Sequence, residues 1–553
     1  MLTRRDAAAI IVISVAFLVV AAFSLGAGTP STGWRVKPEN VYVTFPGNTS
    51  VRSLYLYING DTNNATVVIS QNTTAGWKTA GYVNDGGYYK WVNSTKMNVV
   101  TDSLRLYFWV GEDIYEVVAV DAAGATIPIV SWRSEDPQDA GVARLFDEQG
   151  LFEYPPTFRD ETCFDEVYFV RAAADFLAQQ EPHEWTHPPL GKLIIAAGIG
   201  LFSFSPIGWR IMSVIFAALM IPVIYVAGLA IFKTRFAATA AALLLALDFM
   251  HFTMGRIGTV DTFLVFFSAV SLLFFYVNFE GMMKGGKPSW RYIFLGSLFA
   301  SLAISVKWTS AFAVAGQVLL IAFAALVASP GGRSAVDRLR ALVKPAAITA
   351  LSFAFGGLVY ISTYIPYLAT GHTLGDLYDL QMKMLGFHSS LPPGHPFASI
   401  WTTWPLILRP MRFSLDYLPG DAASTINAMG NPLIWWFGFA AVLLALIMAV
   451  RDRKPRFMFL VVVYLAQLLP YALISRDTFI YHYYPEVPLL ALLIAGVLDE
   501  FWAEPGARKY IALYFVAVAV VFVAYYPVIS GYPAPTWYIR VLKLFQGWDF
   551  LGV

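Results

Sequence analysis

Cysteine is almost missing: Cys163 stands alone in 553 residues. That excludes an intramolecular disulfide framework and a Cys-rich zinc site. Charge is scarce as well, at 14% of residues against about 25% in soluble domains. Its balance is nearly even, with 38 Lys and Arg against 37 Asp and Glu. A chain without a basic excess has no electrostatic footprint for nucleic acid. No Walker-type glycine loop, internal repeat, low-complexity tract or heptad pattern is visible. What is plentiful is apolar surface, 57% of residues, with 16 Trp, 29 Tyr and 42 Phe. Amphipathic rings collect at membrane interfaces, so the composition points to a polytopic membrane protein.

A spanning helix needs roughly 20 mostly apolar residues. Eleven stretches qualify: 7–27, 209–231, 236–253, 258–279, 291–308, 310–328, 345–367, 432–450, 457–474, 484–502 and 509–530. The first follows Arg4 and Arg5 without a clear cleavage site, so residues 1–28 read as a retained anchor. Lys233/Arg235, Lys284/Lys287, Arg333/Arg338/Arg340/Lys344, Arg451/Arg453/Lys454/Arg456 and Arg508/Lys509 fall in alternate connections. The positive-inside rule places those connections in the cytoplasm. It is satisfied throughout if 188–204 lies on the outer surface rather than spanning. The outer parts are then 28–208, 368–431 and a tail of 531–553, with membrane bundles at 209–367 and 432–530.

Residues 34–132 change character. VYVTF (41–45), SLYLYI (53–58), TVVIS (66–70), LRLYFWV (104–110) and YEVVAV (115–120) alternate with period two, separated by turns such as NGD (59–61) and NDGG (84–87). Short strands so spaced predict a small β-sandwich inserted outside the membrane. Four Asn-x-Ser/Thr sequons, Asn48, Asn64, Asn72 and Asn93, lie in it, compatible with an outer location. Residues 133–208 complete the first outer loop.

Ionisable groups beside membrane spans are functional candidates by default. Five clusters fall on the outer face: Asp165 and Glu166, followed by His187 and Lys192; Arg256 and Asp261; Lys307 and Trp308; His395 with Trp404; and Arg476 with His482 and Tyr483. A carboxylate there can act as general base on a hydroxyl. Lys and Arg can hold a phosphate and offset its charge as it leaves. Trp308, Trp401 and Trp404 can stack on sugar rings or line a lipid groove. Blander roles exist for each: a solvated Asp165–Glu166 pair, a snorkelling Lys307, an Arg256–Asp261 structural ion pair, a capping His187, and loop histidines at 395 and 482. His372 and His388 read as structural and Cys163 as packing. The prolines flanking His183 and His187 argue against a metal pair.

The motifs FDEVYF (164–169), THPPLGKLIIA (186–196), GRIGTVDTFL (255–264), LAISVKWTSAF (302–312), HPFASIWTTWPLILRP (395–410), GNPLIWW (430–436) and RDTFIYHYYPEVPLLAL (476–492) together resemble the protein O-mannosyltransferase family. The resemblance covers about residues 155–530 in the family's order. It implies the GT-C fold: an all-α polytopic bundle, here of about 11 spans with an inserted β-domain. It also implies an inverting enzyme that moves mannose from a polyprenyl- or dolichyl-phosphate donor to Ser or Thr of an acceptor protein. The active site would be extracytoplasmic, in an integral membrane protein of the cell membrane. Asp165 matches the proposed base and Glu166 the second acidic residue. His187 and Lys192 match the site floor. Arg256 and Asp261 match the pair around the third span. Lys307 and Arg476 are the choices for donor phosphate, with Trp308, His395, His482 and Tyr483 near substrate. No cofactor is required; a divalent ion is compatible with carboxylates near phosphate but not indicated. Oligomerisation is open.

Two features depart from the family. The loop 368–431 is too short for the MIR domain of eukaryotic members, favouring a prokaryotic one, and the β-domain fills what is usually a short connection. That domain either recruits acceptor, binds glycan, or braces the first loop. The nearest rival function is a GT-C enzyme passing another sugar to a lipid or cell-wall glycan. A transporter would place polar groups at mid-membrane in repeated halves, and a receptor would use the β-domain over an inert bundle.

Overall fold

The computed structural model describes residues 2–60, 67–84, 86–109, 113–327, 334–390 and 394–552. Asn64 and Arg333 lie outside them, as do parts of the NGD and NDGG turns. The chain divides into two compact units: residues 24–171 with 199–209, and residues 1–23, 172–198 and 210–553.

The smaller unit is built on strands β1 (Trp34–Arg35), β2 (Glu39–Val51), β3 (Ser53–Gly60), β4 (Val67–Thr73), β5 (Gly76–Val83), β6 (Gly87–Asn93), β7 (Val99–Phe108), β8 (Asp113–Val120), β9 (Thr126–Ile127) and β10 (Ser131–Ser134). One antiparallel sheet runs β1-β8-β3-β6 with β9 on β8; the other runs β10-β2-β7-β4-β5. Period-two alternation turns Val41, Val43 and Phe45 of β2 and Leu104, Leu106 and Phe108 of β7 inward. They share one core with Leu54, Leu56 and Ile58 of β3 and Val117 and Ala119 of β8, so both sheets bury against the same interior. The runs 41–45, 53–58 and 115–120 lie wholly in strands; of the other two, residues 67–70 and 104–108 do, while 66 and 110 lie outside the described residues. β5 and β6, with fewer aliphatic residues, escape a reading of alternation.

The larger unit is helical. Among the described residues eight helices are long and apolar enough to cross a membrane: Arg4–Ala22, Pro206–Phe232, Asp261–Met283, Trp308–Val327, Leu339–Ser362, Pro432–Val450, Pro455–Leu473 and Pro505–Ser530. Proline opens several of them at the first turn, where its missing N–H costs nothing. The other three expected spans fall on shorter helices, Arg235–Ala246, Trp290–Val306 and Val487–Trp502. The expected span 236–253 is in fact broken. Asp248 interrupts it and caps a separate helix, Phe249–Met254, by accepting the His251 N–H. A hydropathy window averages across such a carboxylate and cannot see it.

Structure also fills the segment 368–431. A helix, Leu374–Ser390, precedes the hairpin β11 (Met411–Leu418) and β12 (Ala422–Ala428). The tail adds β13 (Ala534–Pro535), pairing Ala534 with Ala423. The GNPLIWW motif has a packing explanation. Asn431 caps the Pro432–Val450 helix, and Trp435 donates Nε1–H to Asp248 at 2.8 Å. Any Cβ on Gly430 would lie 1.9 Å from the Trp435 ring.

Candidate active site

Asp165 and Glu166 belong to the β unit, where a turn enters the Glu166–Leu177 helix. The Glu166 carboxylate is buried and accepts the Cys163 N–H at 2.9 Å. The Asp165 carbonyl accepts from Tyr168 and Phe169, starting the helix. Phe164 sits at φ 52°, a left-handed conformation that a bulky side chain holds only where its surroundings impose it. Those surroundings are strand β6. Thr162 donates its N–H to the Tyr89 carbonyl at 3.1 Å and its hydroxyl to the Tyr88 carbonyl at 2.6 Å. Glu161 accepts the Trp91 N–H at 3.1 Å and pairs with Lys90 at 3.3 Å. The edge strand of a sheet thus carries the turn that holds Asp165 and the buried Glu166.

A second centre lies in the helical unit. The THPPLGK turn leads into the Leu190–Phe202 helix, and Gly191 lets it approach closely. A Cβ there would stand 2.6 Å from Val260 and 3.2 Å from Val306. These are the neighbours of Asp261 and Lys307. Asp261 starts one helix and Lys307 ends another with extended backbone. The Lys307 ammonium donates to Asp261 at 2.9 Å and lies 5.6 Å from the centre of the Tyr481 ring. Asp261 therefore takes its cation from 46 residues away, and the Arg256–Asp261 pairing suggested by their spacing is not what the fold uses. Arg256 instead donates to the carbonyls of Ala21, Phe23 and Ser530, where two membrane helices end.

Lys192 is buried with a full complement. Its three N–H bonds go to the Glu184 carbonyl at 2.8 Å, a Glu184 carboxylate oxygen at 2.6 Å and the His187 carbonyl at 2.8 Å. An ammonium has three donors, so none remains for substrate. Glu184 had no place among the sequence candidates; a Glu three residues before His187 was the only signal. Burial works against its carboxylate, but the Lys192 charge and the His187 contact outweigh this and hold its pKa well below the usual range. Burial, together with Lys307 and Lys192, lowers the pKa of His187 against the pull of Glu184.

Two more histidines close the centre. His388 donates Nε2–H to the Thr186 carbonyl at 2.7 Å, and its ring centre is 5.4 Å from that of His187. Burial and the neighbouring cations lower it to about 4. His482 is buried, bonded through Nδ1 to the backbone of Phe479 and stacked on Tyr481 at 4.6 Å and on Trp404 at 6.1 Å. Burial, with Lys307 and Arg476 nearby, keeps it neutral. Arg476 is half-buried and makes no hydrogen bond or ion pair among the described residues. His395 is held by Asp477, which accepts its N–H at 2.6 Å. Trp308 is tied to the Tyr360 hydroxyl at 3.1 Å. Tyr483 faces the interior, sharing a 2.6 Å hydrogen bond with Tyr464.

A cavity of about 270 Å³ opens beside this centre, lined by Glu184, Trp185, His187, Lys192, Tyr364 and Asp379 among others. No group of three His, Cys, Asp or Glu among the described residues has the arrangement to hold a metal ion. The arrangement can bind an anion at Lys307 and Arg476 and offer neutral imidazoles to hydroxyls.

Two family models match this chain in tandem. Residues 186–360 match dolichyl-phosphate-mannose-protein mannosyltransferase, and residues 373–548 match the C-terminal four-transmembrane region of protein O-mannosyltransferase. The chain belongs to the protein O-mannosyltransferase family. The polyprenol-phosphate-mannose–protein mannosyltransferase of Mycolicibacterium smegmatis is 25% identical, over 70% of this chain and 88% of its own. That of Mycobacterium tuberculosis is 25% identical, over 64% and 80%. The S. cerevisiae protein O-mannosyltransferase Pmt1-Pmt2 complex, solved with its sugar donor, superposes with a TM-score of 0.60 at 12% identity, covering 70% of this chain and 89% of that one. The chain is a helical polytopic membrane protein that also carries a β-sheet unit, strands β1–β10. Both family models begin beyond that unit's ten strands.

Proposed function

We propose that this protein O-mannosyltransferase moves mannose from a polyprenyl-phosphate donor to Ser or Thr hydroxyls of proteins on the extracytoplasmic face. The observation that carries the reading is the pair of cations, Lys307 and Arg476, set among neutral His187, His388 and His482. Such a centre suits a phosphate that gains charge as the glycosidic bond breaks. Asp165 takes the acceptor proton as its oxygen attacks the anomeric carbon, and the lipid phosphate departs with the bonding pair. Phosphate leaves readily, so no general acid is needed, and attack from the opposite face inverts the linkage. Asp261 holds Lys307 in place. The orientation follows from the basic residues of alternate connections, with eleven crossings once the three shorter helices are counted. The two sheets read as a β-sandwich whose β6 edge braces the Asp165–Glu166 turn.

The test uses membranes, radiolabelled polyprenyl-phosphate mannose and a Ser/Thr peptide. Asp165→Asn is expected to abolish transfer while leaving donor binding intact; unchanged transfer would remove Asp165 as the base.

A further inference from the structure

The chain that follows the membrane helix Pro505–Ser530 does not leave it. Gly531 ends that helix at φ 74°, a left-handed turn that glycine takes without strain, and the short helix Thr536–Val541 folds back beside it. The Tyr538 hydroxyl donates to the Ala524 carbonyl at 2.8 Å, and the Tyr525 hydroxyl to the Leu542 carbonyl at 2.6 Å. Ala524 stands six residues before the helix ends, about 9 Å at 1.5 Å per residue. Residues 536–545 therefore lie along the last turns of a crossing helix. Phe545 also meets Trp436, near the start of Pro432–Val450, with ring centres 6.0 Å apart.

One side of this segment is accounted for. Ile539, Trp548 and Phe550 are buried, and Trp548 donates Nε1–H to the Ile407 carbonyl at 2.6 Å. The other side is apolar and uncovered: Trp537, Val541, Leu544 and Phe545 are exposed, Val541 by 71%. The exposed stripe Leu513, Val516, Val520 and Val523 of the crossing helix leads to the same end, so the patch continues a surface that faces acyl chains. Arg540 and Lys543 border it and, with Trp548 and Phe550, line a cleft of about 300 Å³. Neither basic side chain makes an ion pair or hydrogen bond among the described residues. Asp549 also borders the cleft, but its carboxylate is met by Arg412 at 3.2 Å.

We propose that residues 537–545 dock an anionic phospholipid of the bilayer, with Arg540 and Lys543 on its phosphate and Trp537, Val541, Leu544 and Phe545 among its glycerol and acyl chains. Aromatic and basic side chains both settle at the boundary of a bilayer. A free phosphate would satisfy the cations and leave the apolar side chains in water. A zwitterionic headgroup would bring a further cation to those already there. The site requires the membrane bundle and does not rest on the mannosyl-transfer reading. Its consequence lies on the inner side of the tail, where a Cβ on Gly547 would stand 2.3 Å from the Leu408 carbonyl. With Trp548 on Ile407, a lipid holding the outer side clamps the tail against the 395–410 motif.

The experiment places the full chain in phosphatidylcholine nanodiscs with a trace of phosphatidylglycerol that carries a diazirine near one ester, and maps the cross-linked peptides by mass spectrometry. Labelling is expected within residues 536–551. Arg540→Gln/Lys543→Gln should lower it at least about tenfold, since each basic side chain at an anionic surface contributes about fivefold. The charge-keeping swap Arg540→Lys/Lys543→Arg should retain it. Labelling should also fall as unlabelled phosphatidylglycerol replaces phosphatidylcholine, and persist in millimolar inorganic phosphate. Labelling absent from 536–551, or unchanged in the neutral double variant, would overturn the proposal. Equal loss in the charge-keeping swap would do the same. Displacement by inorganic phosphate would make the cleft a free-anion site, and indifference to unlabelled phosphatidylglycerol would remove the charge selectivity; either result contradicts the proposal.

Discussion

Lys307 and Asp261 form a buried ion pair at 2.9 Å, each side chain 9% exposed, joining the end of one helix to the start of another. Removing one member leaves a buried charge without its partner, at a cost of about 3–5 kcal/mol, whereas replacing both with apolar groups is often neutral. Asp261→Asn and Lys307→Met are each expected to lower the melting temperature in detergent. The double variant Asp261→Leu/Lys307→Met should recover stability but not mannosyl transfer. Recovery of transfer by the double variant would show the pair to be structural alone.

Arg476 differs from Lys307 in having no partner among the described residues. A guanidinium held beside neutral His482 and His388 is available for a phosphate. Charged hydrogen bonds contribute about 1.5–3 kcal/mol, so Arg476→Ala should raise donor KM roughly tenfold to a hundredfold with little change in thermal stability. Arg476→Lys should restore only part of this, since the planar fork is lost. Donor titrations of the purified variants measure both.

Gly430 lies under the Trp435 ring, 1.9 Å from where a Cβ would stand. Trp435 is fixed in turn by Asp248, so it has little freedom to move away. Gly430→Ala is expected to destabilise the bundle by at least about 1–3 kcal/mol. The check is a lower melting temperature together with increased proteolysis near residues 430–436.

Glu116 is the pH-sensitive group of the β unit. Burial, with Asp147 and Glu148 adding to it, raises its pKa to about 8 although it accepts two backbone N–H bonds. The folded state then holds a proton that the unfolded chain has lost above its ordinary value of 4.5. Native stability therefore falls as pH rises between those two values and levels off above the higher one. Hydrogen exchange of the 113–120 strand, corrected for intrinsic rates, should show lower protection at alkaline pH. Glu116→Gln should flatten that dependence.

Much of this architecture was legible in the chain. Apolar length marked the long helices, and alternation marked β2, β3, β4, β7 and β8, because both patterns are local. The candidate site was legible as a set of residues but not as a set of partners. Arg256 and Asp261, five residues apart, suggest each other, yet Asp261 meets Lys307 and Arg256 meets carbonyls of residues 21, 23 and 530. Glu184 was invisible because its importance depends on Lys192 folding back over the turn. Lys192 carried the right motif and an inward role, since nothing in a sequence reveals how many donors an ammonium has already committed. Strand β13 escaped because its pairing with β12 joins segments more than a hundred residues apart.

The helix Arg4–Ala22 is fastened at both ends. Near its start Asp6 accepts from Tyr225 and Arg235; at its finish, carbonyls of residues 21 and 23 receive Arg256. Every one of these partners is synthesised more than 200 residues later. At ~5–20 residues per second, the helix waits in the bilayer for roughly 10–50 s before any of them exists. Its acidic Asp6 must be tolerated through that interval without its cation. The Ser530 carbonyl, a further acceptor of Arg256, is synthesised 274 residues after the side chain it serves, so the donors of that guanidinium are satisfied in stages.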